Sequence, residues 1–165
     1  MTPPDAKAPS GGGAAADLRE RGPELPLDFN EVDVGHTFEM QIAPVTTEQL
    51  VRYAGAANDY ARIHYDLPYA IEAGVGGIIA HGMLTMAFMG RAVTDGFGPR
   101  ARVLHISGRF NAPVRLGESV RVRLSITDKR GTQRDAQIDC SLVADVQGRQ
   151  VASGEATVTL MPVTS

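Results

Sequence analysis

A chain of 165 residues suffices for one domain that buries about 70% of the surface its unfolded form would expose, so neither a disulfide nor a metal is needed to hold it folded. The single cysteine, Cys140, and the lack of any Cys/His cluster at zinc spacing argue against a disulfide framework and a structural zinc site. A net charge of −3 with interspersed signs leaves no basic stripe for nucleic acid, and the apolar runs stop well short of the roughly 20 residues a membrane span requires.

The N-terminus lacks the charged-then-apolar order of a signal peptide, so the expectation is a soluble cytoplasmic protein. Residues 1–27 are rich in Pro, Ala and Gly and read as a flexible tail ahead of one folded domain over 28–165. From Val34 the pattern changes: Phe38, Met40 and Ile42 alternate with polar neighbours as a strand, which Pro44 ends. Thr46 stands three residues before Gln49 in a capping-box arrangement, and Leu50, Val51, Ala54 and Ala57 follow at helical spacing, which predicts a helix over Thr47 to Ala57. That helix delivers Asn58 and Asp59 at its end.

Asp66 and Pro68 resemble a second helix start and Gly74 its stop, with Gly74, Gly76 and Gly77 forming a turn. A long helix is expected over Ala80 to Asp95, closed by Gly96, with apolar residues around most of its axis and burial on nearly every side. Four alternating runs follow: Val103 to Phe110, Val120 to Thr127, Ala136 to Leu142 and Ala152 to Leu160. Turn signals at Pro113 to Gly117, Asp128 to Gly131 and Gln147-Gly148 separate them, and runs this close imply antiparallel hairpins. The order suits an α+β hot-dog domain, one antiparallel sheet curled around a central helix. Such a unit leaves sheet edges and a helix face open, so a homodimer is the physical expectation.

The stretch from Asn58 to Met83 gathers two of the four histidines, an aspartate five residues before the first, and a glycine-rich turn. Asp59-Tyr60-Ala61-Arg62-Ile63-His64, followed by Ala80-His81-Gly82-Met83 at the head of the long helix, resembles the MaoC-like hydratases, including the (R)-specific enoyl-CoA hydratases, over about Val34 to Leu160. The commonest form in that family reads G-D-x-N-P-x-H. Here Asn58 precedes the aspartate and Ala61-Arg62 replace Asn-Pro, while Arg62 to Asp66 looks more like a related branch acting on acyl thioesters.

The resemblance implies reversible hydration of a trans-2-enoyl thioester to the (R)-3-hydroxyacyl product, with Asp59 and His64 as the catalytic pair and Gly82 as the oxyanion-hole glycine. The chemistry suits them. Water attacking Cβ needs a base and Cα needs a proton, tasks that an aspartate and a histidine can divide. The enolate that forms needs a fixed donor, such as a backbone N–H at a helix N-terminus.

His81, Met83 and Tyr65 are candidate substrate contacts, His81 being equally suited to bonding loop carbonyls. Tyr69 reads as surface packing, the Met83, Met86, Met89 stripe and Cys140 as core, and Arg100, Arg102 and Arg109 as solvated faces rather than coenzyme A contacts. The mechanism requires no metal or organic cofactor. The expected partner is an acyl thioester of coenzyme A or of an acyl carrier protein, and a heterodimer with a related subunit is the alternative to self-association. The rival functions are a hot-dog thioesterase and a non-catalytic acyl-CoA-binding subunit of a hydratase.

Overall fold

The computed structural model describes residues 29–132 and 135–161; the tail expected over 1–27 lies outside them. Strand β1 (Thr37–Ile42) leads into helix α1 (Thr47–Ala57), a 3-10 turn (Arg62–His64) and the short helix α2 (Leu67–Glu72). Helix α3 (Gly82–Phe97) then precedes β2 (Ala101–Phe110), β3 (Val120–Arg130), β4 (Gln137–Val146) and β5 (Arg149–Leu160). The strands form one antiparallel sheet in the order β1-β3-β4-β5-β2, with α3 against its inner face. This is the hot-dog arrangement, α+β, expected from the order of elements.

The alternating residues explain which face is inside. Val120, Val122, Leu124 and Ile126 of β3, Ile138, Cys140, Leu142 and Ala144 of β4, and Ala156, Val158 and Leu160 of β5 are all buried, and Phe38 and Met40 of β1 join them. The β4–β5 hairpin turns through Gln147 and Gly148 at φ 51° and 83°, the successive left-handed pair that a two-residue turn between twisted strands demands. Thr46 Oγ1 accepts the Gln49 N–H at 3.2 Å, a cap worth about 1 kcal/mol to α1.

Several expectations are corrected. Helix α3 begins and ends two residues later than its pattern suggests, and Gly98, at φ 69°, is the residue that closes it. Gly96 lies inside the helix because the Phe38 ring packs there, 3.1 Å from where a β-carbon would sit. Nor is α3 enclosed on nearly every side: Met83, Ala87 and Thr94 are exposed and Gly90 half-buried, a continuous stripe on one face. Of the methionine stripe, only Met89 is fully buried.

Strand β2 alternates in sequence, yet it is a sheet edge and seven of its ten residues are exposed; its register also shifts between Val103 and His105. Strand β3 continues through Arg130, so most of the turn expected from Asp128 is paired strand and the reversal begins at Gly131. The 3-10 turn before α2 had no sequence counterpart.

Candidate active site

Asn58 ends α1 in the left-handed region at φ 52°, and both its N–H and that of Asp59 return to the Ala54 carbonyl, which turns the chain so that Asp59 is exposed at the helix end. Asp59 Oδ1 accepts the Ala61 N–H at 3.2 Å, an Asx turn. The second carboxylate oxygen has no protein partner among the described residues.

The chain then enters the 3-10 turn, where the Arg62 carbonyl accepts from the N–H groups of Tyr65 and Asp66. The Arg62 guanidinium donates twice to Asp66 Oδ2, at 3.0 and 2.7 Å, and lies 4.2 Å above the Tyr69 ring. The other Asp66 oxygen caps α2 by accepting the Tyr69 N–H at 3.1 Å. Those bonds, Arg62 first and then Tyr69, hold the Asp66 carboxyl below its ordinary value. Arg62 thus braces by side-chain bonds a turn that a proline would stiffen covalently.

His64 ends this turn and is buried. Its Nδ1 lies 2.8 Å from the Ile79 carbonyl, and because a carbonyl only accepts, Nδ1 carries the hydrogen and Nε2 presents a lone pair. Ile79 is itself anchored: its N–H donates to the Ile63 carbonyl, it bridges Arg115, and the flanking Ile78 and Ala80 bond Leu116 and Val114. The tie between the 3-10 turn and the approach to α3 therefore fixes the histidine tautomer. Sequence reasoning missed Ile79, since a backbone carbonyl leaves no signature in residue type.

His81 occupies the cap position of α3 and is 1% exposed, so its ring does not face solvent. Its Nε2–H donates to the Asp59 main-chain carbonyl at 3.1 Å, and its ring stacks on His64 with centroids 3.7 Å apart and planes 24° apart. Tyr53 of α1, also unmarked in the sequence, packs against the same ring at 5.0 Å. Burial pushes the His81 pKa below the ordinary histidine value, because desolvation disfavours the charged ring. Its Nδ1 is buried without a hydrogen-bond partner among the described residues.

One donor atom from each of Asp59, His64 and His81 lies within 4.8 Å of the others. The arrangement is not that of a chelate. Imidazole lone pairs lie in the ring plane, and two rings stacked this closely cannot both reach one ion at the roughly 2 Å of a metal–imidazole bond. Asp59 and His64 instead present acceptor atoms within 4.8 Å of each other, a separation that one water molecule can bridge.

Gly82, the first residue of α3, is exposed, and an added β-carbon there would lie 3.2 Å from the Phe110 ring. The N–H groups of Leu84 and Thr85 already bond the His81 carbonyl, whereas those of Gly82 and Met83 precede any intrahelical acceptor. A cavity of about 240 Å³ with largely apolar walls opens beside His64, lined by Leu50, Val51, Ala54, Tyr60, His64 and Tyr65. Met83 and Tyr65 are 58% and 48% exposed.

The remaining candidates lie apart from this cluster. Cys140 is buried in β4 and its thiol is pushed up to about 12 by desolvation, which suits core packing and not nucleophilic attack. Arg100 donates to the Met161 carbonyl, and Arg102 and Arg109 are exposed on β2. No helix of the described residues is long and apolar enough to cross a membrane.

Residues 30–147 match the family model described as MaoC like domain. Over 138 residues the chain is 30% identical to a 3-hydroxybutyryl-CoA dehydratase of Methylorubrum extorquens, covering 82% of this chain and 86% of that protein. It is 29% identical over 131 residues to an (R)-specific enoyl-CoA hydratase of Rhodospirillum rubrum, covering 79% and 89%. Among solved structures it resembles the unliganded R-hydratase PhaJ1 of Pseudomonas aeruginosa, with a TM-score of 0.75, 28% identity and coverage of 82% and 86%.

Proposed function

The chain belongs to the MaoC-like domain family, and from that premise we propose that it is an enoyl-CoA hydratase, a lyase that reversibly adds water to a trans-2-enoyl-CoA to give the (R)-3-hydroxyacyl-CoA. The observation that carries this reading is the convergence of the Asp59 carboxylate and the His64 ring beside the exposed first turn of α3. Both groups are acceptors. A water between them gives one hydrogen to the free carboxylate oxygen and the other to His64 Nε2, which leaves its lone pairs for the substrate.

As the oxygen–Cβ bond forms, the pair takes a proton from water and the π electrons shift toward the thioester, whose oxygen becomes negative. The proton returns to Cα, so the sum is addition of H and OH across the double bond. The N–H of Gly82 stabilises the enolate oxygen, since it is unbonded in the helix and aligned with the positive end of the α3 dipole. The apolar cavity beside His64 offers walls for the hydrocarbon part of the substrate.

The active form is a dimer in this reading. β2 presents ten residues of unpaired edge, and Leu104, Phe110 and Met83 are large apolar side chains left about half exposed around it. A second copy pairing along this edge would cover them and the open stripe of α3.

The deciding assay follows loss of the conjugated enoyl absorbance, with crotonyl-CoA and longer analogues, for the wild type, Asp59→Asn and His64→Ala. Turnover by the wild type, its loss in both variants and no free thiol are expected. Undiminished rates in the variants would remove the pair from the mechanism, and release of thiol without loss of the double bond would make the protein a thioesterase.

A further inference from the structure

We infer that His81 is a positioning residue of the hydration site, acting through Asp59 and His64 rather than on the substrate; the inference rests on the hydratase reading. With 1% of its surface exposed, its ring has no face to offer a ligand. It touches three parts of the site at once. Its Nε2–H holds the main-chain carbonyl of Asp59, 22 residues earlier, and its ring backs that of His64. As the cap residue of α3 it also accepts, through its own carbonyl, the Leu84 and Thr85 N–H groups of the helix that begins with Gly82.

The chemistry of the imidazole separates this role from simple packing. A phenyl ring would fill the same space between Tyr53 and His64 and would bury no polar atom of its own. Imidazole instead buries an Nδ1 with no partner among the described residues, a cost that packing alone does not require. What it adds over phenyl is the single N–H directed at the Asp59 carbonyl. Burial disfavours the protonated ring, and a charge on His64 would oppose one on His81 further.

The test compares His81→Phe, which keeps a ring and loses the donor, with His81→Gln, whose amide N–H can reach the Asp59 carbonyl. In the full chain, His81→Phe is expected to lower kcat about tenfold or more, because a slight displacement of either reacting group is costly, while KM changes little. His81→Gln is expected to recover most of that loss, and both variants to melt near the wild-type temperature. Wild-type kcat in the Phe variant would overturn the inference. So would a rise in KM matching the loss of kcat, which would mean contact with substrate, or equal losses in both variants accompanied by a fall in Tm, which would mean a role in folding alone.

Nitrogen NMR of ¹⁵N-histidine-labelled protein reads the placement without turnover. Hydrogen on Nε2 of His81 and on Nδ1 of His64 is expected, and the opposite tautomers would overturn the inference. A wild type with the expected tautomers and no activity on any enoyl-CoA would overturn the hydratase reading and uphold the placement of His81.

Discussion

In the proposed mechanism Asp59 and His64 divide their atoms between holding the loop and facing the reaction. Asp59 spends one oxygen on the Ala61 N–H, and an amide oxygen can accept that bond equally well. Asp59→Asn should therefore leave stability within about 0.5 kcal/mol of the wild type while lowering kcat about 10²- to 10⁴-fold, as measured by denaturant unfolding and the enoyl absorbance assay. His81 carries a different prediction. Because burial lowers its pKa, the folded chain binds fewer protons than the unfolded chain once the pH drops below the unfolded histidine value of about 6.5. Protons then favour the unfolded form, so stability should fall from about pH 6.5 downward, by at most about 1.4 kcal/mol per pH unit from this group. His81→Gln should flatten that dependence in urea titrations between pH 7.5 and pH 5, a range chosen because it lies above the carboxylate pKa values of about 4.

The 3-10 turn shows how a loop departing from the commonest family form keeps its shape. Arg62 and Asp66 are both solvent-accessible, so water screens their pair and its role is the geometry of the turn rather than stability. Ala61 sits at φ −59° and ψ 125°, a conformation suited to a residue before proline, and Arg62 begins the 3-10 turn. Arg62→Pro should therefore fold and retain hydration activity within a few-fold, whereas Arg62→Gly, which removes both brace and stiffness, should lower kcat more. In the sheet, Gly108 of β2 faces Gly154 of β5, and Met86 and Met89 of α3 press onto that pair. A β-carbon on Gly154 would overlap the Ser107 carbonyl oxygen, which is backbone and cannot swing away. Gly154→Ala should cost about 1–3 kcal/mol or more, read as a lowered midpoint in urea unfolding.

A single chain leaves the β2 edge of its sheet and one face of its central helix uncovered, although both are apolar in part. If a second copy covers them, the protein should sediment at twice the chain mass. Leu104→Glu, which places a charge on the exposed edge strand, should shift it toward the chain mass and weaken turnover in parallel. A wild type that sediments as one chain and remains fully active would sink the dimer proposal.

Much of the fold was legible in the sequence because its signals act over a few residues. The Thr46 cap and helical spacing set α1 at the expected bounds, Asp66 capped α2, and period-two alternation marked all five strands. The D-x-x-x-x-H spacing likewise placed Asp59 and His64 on one short loop. Other features depended on partners far along the chain. The strand order made β2 an edge, so its alternation did not mean burial. Gly96 reads as a helix stop until Phe38, 58 residues earlier, is packed against it. The availability of His64 Nε2 was decided by the carbonyl of Ile79, and the burial of His81 by Tyr53, His64 and the Asp59 backbone. Residue types and spacing singled out the groups that the fold brings together at the candidate site. Only the tertiary structure decided which nitrogen is free and which ring is enclosed, because those depend on backbone groups that every residue carries alike.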